Sequence, residues 1–304
     1  PVFENRSGLP EYGQDGALHA FSGNMEFEGS SNVRIAPWKA VFDASSGSLT
    51  SYILGETEMI EAPLIPCFAR AATENDLGAG FDKMQSFWRS IELSVASFEV
   101  EETDFCYRVN VRYAPVGEAA EICMIYDIYA DGTIAARETL NDAGKLAEAP
   151  MLPRFGMQLA MPGEFSTLEY FGFGPHENYI DRNSSALMGH YVQKVEDQYH
   201  YGYVRPQESG TKTQVKWLKI LDDNGAGFEI TSDVKFSASA LPFSWKEMDV
   251  RVLDNNQAHS LELKAKAHEN IRSAGRTWVN FDLSQMGLGC VTSWGAWPPE
   301  EYRI

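Results

Sequence analysis

Residues 170–182 read Tyr-Phe-Gly-Phe-Gly-Pro-His-Glu-Asn-Tyr-Ile-Asp-Arg and join a predicted buried strand to a dense polar turn. Aromatic residues favour the pleated, half-buried surface of a strand, and Pro175 disfavours helical backbone at Gly174. A polar cluster directly after a buried strand is how a β scaffold usually presents a site, although such side chains can equally satisfy the backbone groups of their own turn. We therefore treat the following residues as a candidate secondary polar cluster: His176, Glu177, Asn178, Asp181 and Arg182.

The sequence around this stretch alternates apolar and polar residues with a period of two, which is typical of β-strands. The alternation is clear over residues 105–111 and 122–128, and a similar run at 87–95 predicts a strand that begins near residue 86. The turn residues Ala-Asp-Gly at 130–132 and Asn-Gly-Ala-Gly at 224–227 indicate hairpins. Long strands joined by turns rather than by helices predict an all-β fold built from antiparallel sheets.

The remaining segments fit a single large β domain over residues 24–304. Residues 1–23 are polar and glycine-rich, and we interpret them as a linker or an N-terminal arm. The only helix that the pattern predicts is short and covers residues 245–254, and strands over 259–267 and 276–283 complete the sheets.

Composition excludes several classes of partner. The 304 residues contain 25 Lys and Arg against 43 Asp and Glu, a formal charge of −18, whereas a nucleic-acid or anionic membrane surface attracts a basic footprint. No apolar run reaches the roughly 20 residues of a membrane-spanning helix. The four cysteines lack metal-site spacing and predict buried or free thiols. We expect a cytoplasmic protein, and a proline at position 1 is compatible with a processed or truncated piece.

Eight segments carry motifs in a fixed order along the chain. They lie at 68–76, 152–156, 170–182, 205–210, 236–242, 285–287, 293–295 and 299–303. Together they resemble the C-terminal domain, or small-chain region, of the glycoside hydrolase family 2 β-galactosidases. The resemblance implies a galactose-mutarotase-like supersandwich, in which two large antiparallel sheets pack face to face.

The resemblance also implies that the catalytic residues lie elsewhere. In this family the nucleophile and acid/base glutamates, together with the magnesium and sodium sites, belong to a preceding (β/α)8 barrel. Retaining glycosidases need two carboxyl groups about 5–5.5 Å apart, and this sequence lacks both the barrel pattern and an Asn-Glu dipeptide. We therefore predict no catalytic residue and no cofactor site in this chain.

One residue is expected to touch substrate. In related enzymes a tryptophan before the C-terminus stacks on the sugar, and the matching position here is Trp294, with Trp297 close enough in sequence to compete. An indole face suits the apolar face of a pyranose. The family usually has Gly-Gly-Asp-Asp or Gly-Gly-Asp-Asn before Ser-Trp, whereas residues 289–292 here read Gly-Cys-Val-Thr. The resemblance assigns loop or interface roles to Arg70, Asn75 and Asp76.

Three functions follow from this reading. The first is a small subunit or C-terminal domain of a β-galactosidase that completes a galactoside pocket, partnered by the barrel-containing remainder in an oligomer. The second is a non-catalytic carbohydrate-binding module, which the aromatic content favours. The third is an aldose 1-epimerase using His176 and Glu177, which is disfavoured because adjacent strand residues point to opposite faces.

Overall fold

The computed structural model describes residues 2–3, 17–21, 24–30, 37–249, 271 and 273–304. The strands, in chain order, are β1 (Val2–Phe3), β2 (Ala17–Phe21), β3 (Asn24–Ser30), β4 (Pro37–Asp43), β5 (Ser48–Leu54), β6 (Thr57–Glu58), β7 (Ala62–Cys67), β8 (Val95–Glu102), β9 (Tyr107–Tyr113), β10 (Ala120–Ile128), β11 (Ile134–Asp142), β12 (Arg154–Pro162), β13 (Thr167–Gly174), β14 (Leu187–Lys194), β15 (Lys212–Leu221), β16 (Gly227–Leu241) and β17 (Arg276–Gln285). The helices are α1 (Glu74–Ala79), α2 (Phe81–Met84), α3 (Ser86–Arg89) and α4 (Trp245–Met248). Short 3-10 turns lie at Leu146–Glu148, Val195–Gln198 and Glu300–Tyr302.

These strands form two antiparallel sheets. The smaller sheet has five strands in the order β1-β11-β10-β9-β8. The larger has twelve, in the order β14-β13-β15-β16-β17-β12-β7-β5-β4-β3-β2 with β6 paired to β5. The predicted all-β class with two large antiparallel sheets is confirmed, as are the turns at 130–132 and 224–227.

The core lies between the two sheets, because the strands alternate buried and partly exposed residues. On β10 the inward side chains Ile122, Met124 and Tyr126 are fully buried. The ring of Tyr126 meets Phe42 of the larger sheet at 4.9 Å between centroids. Burying each such side chain contributes roughly 1.5–3 kcal/mol, so the alternation holds the sheets face to face.

The N-terminal segment contributes strand pairing. Val2–Phe3 pairs with β11 in the smaller sheet, and Ala17–Phe21 pairs with β3 in the larger one. The rest of the predicted arm lies outside the described residues. The division into an arm and one domain over 24–304 stays a prediction.

The predicted strand start near residue 86 is wrong. Ser86–Arg89 is helical, and strand β8 begins only at Val95. Phe87 and Ile91 are four residues apart, so their alternation also fits one face of a helix. The helical turn buries Trp88, whose Nε1 donates to the Pro150 carbonyl at 2.6 Å, and this tertiary contact outweighs local pattern.

The predicted helix over 245–254 is present at its start. Ser244 caps α4 through a capping box with Glu247, so Trp245–Met248 is helical and Asp249 follows in extended backbone. Residues 250–254 and the predicted strand at 259–267 lie outside the described residues. Within the described ranges no helix is long and apolar enough to cross a membrane.

Several strands of the larger sheet begin or end at one level of the long strand β16. Its Ala238 pairs with Lys212 at the start of β15 and with Phe281 near the end of β17. The start of β12 and the end of β7 lie beside the end of β17, and the end of β13 lies beside the start of β15. The segments that follow or precede these strand ends include 68–90, 175–186, 199–211 and 286–304. These strand ends therefore gather the polar residues that the sequence singles out.

Candidate functional site

Helix α1 is short, and its ends are fixed by local chemistry. The Thr73 hydroxyl accepts from the Asp76 amide at 3.0 Å, and Asp76 Oδ2 accepts from the Thr73 amide at 2.9 Å. This capping box satisfies two donors that helical bonds leave free. Gly80 then ends the helix with φ +74, a left-handed conformation that favours glycine. The helix presents its backbone and small residues to segment 286–297.

Arg70 joins this helix to the end of β17. Its guanidinium is almost fully buried and pairs with Asp76 Oδ1 at 2.9 Å. It also donates to the carbonyls of Met286 at 2.5 Å and Gly287 at 3.2 Å. Glu74, in the first turn of the same helix, pairs with Arg205 at 3.2 Å. Arg70 and Asp76 therefore lie together and hold the backbone at 286–287.

Asn75 bridges the loop that carries Trp294. Its Nδ2 donates to the Leu288 carbonyl at 2.8 Å and to the Ala296 carbonyl at 2.9 Å. Its Oδ1 accepts from the Gly295 amide at 2.6 Å. The amide is buried, so these three bonds fix both ends of residues 288–296 relative to α1.

Trp294 is held at one edge and open to solvent. Its Nε1 donates to the Glu74 carbonyl at 3.1 Å, and its ring lies against Gly78, where a Cβ would stand 2.6 Å from Cε2. The side chain nevertheless remains 63% exposed. An exposed aromatic ring with a fixed orientation provides a stacking surface at little entropic cost.

Trp297 is in a different environment. Its ring packs on Phe81 at 5.0 Å between centroids, and the Arg303 guanidinium lies 5.2 Å from the ring centre. These contacts use surface that a ligand would need. Of the two tryptophans, Trp294 is the freer to stack.

Asp181 is the member of the predicted polar cluster that reaches the Trp294 loop. Its two carboxylate oxygens accept from the amides of Leu288 at 3.0 Å and Gly289 at 2.7 Å. Gly287 leaves room for this approach, because a Cβ there would stand 2.6 Å from Asp181 Oδ2. The turn at 176–182 therefore holds the same loop that Asn75 of α1 holds.

The other members of the cluster point to different partners. Glu177 accepts from the Gly210 amide at 2.7 Å and from the Tyr203 hydroxyl. Asn178 is buried and bonds the Phe173 carbonyl at 3.0 Å and the Thr213 amide at 3.0 Å. His176 and Arg182 are exposed. The structure therefore does not gather all five side chains at one point.

Buried charges lie beneath these turns. Arg154 is sandwiched between Glu208 at 3.3 Å and Asp282 at 3.2 Å, all three almost fully buried. Burial raises the pKa of Asp282 to about 7 despite the attraction of Arg154. Burial likewise lowers the pKa of Lys212 to about 8, against the opposing effect of Glu177. A buried ion pair is costly to break, so Arg154 ties Glu208, which precedes β15, to Asp282 of β17.

The loop at 289–292, which departs from the family pattern, has a defined shape. Cys290 is exposed, adopts φ +64, and donates its amide to the Ala296 carbonyl at 2.9 Å. Left-handed backbone favours glycine, and here a cysteine adopts it. Since Asn75 and Asp181 hold the loop from outside, it does not depend on its own side chains for these bonds.

Sequence reasoning missed three contributors. Gly78 supports the Trp294 ring, the Glu74 carbonyl orients its edge, and Arg205 engages the Glu74 side chain. The Gly-Ala-Gly run at 78–80 is a local sign of a close approach to this helix. The contacts of Glu74 with Trp294 and Arg205 have no local sign, because they join residues more than 100 positions apart. Within the ranges that the structure describes, no group of three or more His, Cys, Asp and Glu side chains could hold a metal ion.

Comparison with known proteins identifies the family of this chain. A profile described as the β-galactosidase small chain matches residues 34–304, which is most of the chain. This chain belongs to the β-galactosidase small chain family. The family assignment agrees with the resemblance expected from the eight sequence segments.

The relatives are larger proteins. The chain is 31% identical over 293 residues to a β-galactosidase of Halalkalibacterium halodurans, covering 95% of this chain and 27% of that protein. It is 32% identical over 268 residues to the Priestia megaterium β-galactosidase, covering 87% and 24%. For the Streptococcus thermophilus β-galactosidase the values are 29% over 283 residues, 91% and 26%. The small chain therefore spans about a quarter of the curated relatives it matches.

Proposed function

We propose that this chain is the small subunit or C-terminal domain of a β-galactosidase that hydrolyses terminal β-D-galactosides, and that Trp294 completes the substrate pocket. The observation that carries the proposal is the fixed but exposed indole, held by the Glu74 carbonyl and Gly78. A pyranose presents an apolar face that an indole covers well, while its hydroxyls need polar groups from elsewhere. The names of the relatives supply the substrate class.

The catalytic carboxylates are proposed to lie in a barrel-containing remainder, together with the magnesium and sodium sites. The carboxylates nearest Trp294 already have other partners. Asp76 pairs with Arg70, Glu74 with Arg205, and Asp181 accepts two backbone amides. A nucleophile or acid must instead be free to reach the anomeric carbon or the leaving oxygen.

The barrel-containing remainder is also the proposed partner of the surface around Trp294. Val291 is 67% exposed and lies on the loop that carries the tryptophan, and Met84 is 42% exposed and lies on α2, the helix that follows α1. Exposed apolar residues that cluster near a site mark contact surfaces. The complete enzyme is proposed to be an oligomer.

Replacing Trp294 with alanine in the complete enzyme tests the proposal. Loss of a stacked ring should weaken substrate binding by about 1–3 kcal/mol and lower kcat/KM for lactose accordingly. Trp297→Ala is the matched control, because it removes the same side chain three residues away and should have a smaller effect. An unchanged kcat/KM in Trp294→Ala would overturn the proposal.

Two measurements on the isolated chain address the other candidate functions. Titration with galactosides and polysaccharides should show no tight binding until the barrel is supplied. Tight binding by the chain alone would favour a carbohydrate-binding module. Polarimetry with α-galactose should show no acceleration of mutarotation, since Glu177 is occupied by Tyr203 and Gly210. Acceleration would favour an epimerase.

A further inference from the structure

Three hydrogen bonds from one buried side chain span the ends of the loop that carries Trp294. Asn75 donates to Leu288 and Ala296 and accepts from Gly295, the residue directly after Trp294. Its own position is set by α1, whose capping box and Arg70–Asp76 pair are buried. One buried side chain therefore connects α1 to both ends of the loop.

The bonding pattern needs an amide. The two carbonyls require donors and the Gly295 amide requires an acceptor, and of the side chains of this size only asparagine supplies both. Aspartate has the same shape but, when ionised, only accepts, so it would place a negative charge against two carbonyl oxygens. The Asn75 amide group that donates to the two carbonyls is neutral and buried, so losing these hydrogen bonds is costly.

We propose that Asn75 is a positioning residue for substrate, acting through Trp294. It sets the height and tilt of the indole above α1, so that the ring meets the sugar without a prior loop rearrangement. This inference rests on the proposed function of Trp294 and adds the residue that controls it. Preorganising a contact in this way improves affinity by removing an ordering cost.

The test uses the complete β-galactosidase and its kinetics with o-nitrophenyl β-D-galactoside. We expect Asn75→Asp to raise KM by about tenfold near neutral pH, with a smaller change in kcat, because binding rather than chemistry is affected. Asn75→Ala should raise KM less, since it places no charge beside the carbonyls. If Asn75→Asp does not assemble, the alanine variant carries the test.

Two readouts separate positioning from a general loss of structure. When the pH is lowered from about 8 to about 5, the KM of Asn75→Asp divided by the KM of the wild type should decrease, because a protonated carboxyl regains a hydrogen-bond donor. In a Trp294→Ala background, Asn75→Asp should change KM by less than about twofold, since residues that act through one another are not additive.

Asn280→Asp is the matched control. Asn280 is equally buried but bonds Gln158 and Ser239 within the sheet, so the same substitution should lower stability and leave KM unchanged. A normal KM in Asn75→Asp and Asn75→Ala, with a raised KM in Trp294→Ala, would overturn this inference alone. An additive effect in the double variant would do the same. A normal KM in Trp294→Ala would overturn both proposals.

Discussion

The Trp294 ring lies so close to Gly78 that a Cβ at position 78 would stand 2.6–2.9 Å from three of its atoms. Contacts shorter than about 3 Å between carbon atoms are strongly repulsive. The backbone of Gly78 is not left-handed, so the glycine is required by the ring and not by the chain path. Position 78 is therefore a direct probe of where the indole sits.

Gly78→Ala should displace the Trp294 ring while preserving the fold. Alanine is the better helix former, so the free energy of unfolding should change by less than about 1 kcal/mol. The Trp294 fluorescence is obtained by subtracting the emission spectrum of Trp294→Phe from that of the wild type. The same subtraction is made in the Gly78→Ala background, with Gly78→Ala minus the double variant. The emission maximum of this second difference spectrum should be shifted relative to the first. Identical difference spectra with and without alanine would contradict this contact.

The sequence predicts the sheets well because their determinants are local. Alternation at 105–111 and 122–128 reports which face of each strand is buried, and the turn residues report where strands reverse. The failure at Ser86–Arg89 has the same origin, since a run of four or five residues does not distinguish the two periods. There the burial of Trp88 decides the structure.

The site is less predictable because its contacts are distant in sequence. The polar turn at 176–182 indicates a cluster, but only contact with 288–289 separates Asp181 from its neighbours. Trp294 comes from the family resemblance, whereas the three bonds of Asn75 join residues more than 200 positions apart. No local pattern reports which loop a buried amide will hold.

Asp282 should make the stability of the chain depend on pH. Its pKa is raised to about 7 in the folded chain, mainly by burial, against about 3.9 for an unfolded aspartate. The folded state therefore holds this proton more tightly, so the free energy of unfolding contributed by Asp282 falls as pH rises from about 4 to about 7. The contribution is complete below this window and lost above it.

Asp282→Asn should flatten that part of the pH profile, because the amide mimics the protonated acid and does not titrate. Urea unfolding at several pH values between about 4 and 8 measures the slope. Asp223→Asn is the control, since the Asp223 side chain is 87% exposed and its replacement should leave the slope unchanged. Equal slopes for wild type and Asp282→Asn would contradict the raised pKa.

Glu138 is a second buried acid and belongs to the smaller sheet, whereas Asp282 belongs to the larger one. It lies on β11 opposite Met124 of β10 and is only 3% exposed. Neither carboxylate oxygen has a hydrogen-bond partner among the described residues. Burial raises its pKa well above the ordinary value, so the folded chain favours the neutral acid. Its ionisation on raising the pH therefore favours unfolding.

Glu138→Met should stabilise the chain near neutral pH. The substitution keeps an unbranched side chain of similar length and removes a buried polar group that has no hydrogen-bond partner among the described residues, which is worth about 1–3 kcal/mol. Glu138→Gln should gain less, because its amide stays buried and unbonded. Urea unfolding near pH 5 and pH 8 checks both the gain and its sign, since the advantage of methionine should grow as pH rises. Glu118→Met, at a side chain 71% exposed, should change stability by less than about 0.5 kcal/mol. A Glu138→Met variant less stable than the wild type at both pH values would show that the carboxyl group is stabilised in the core.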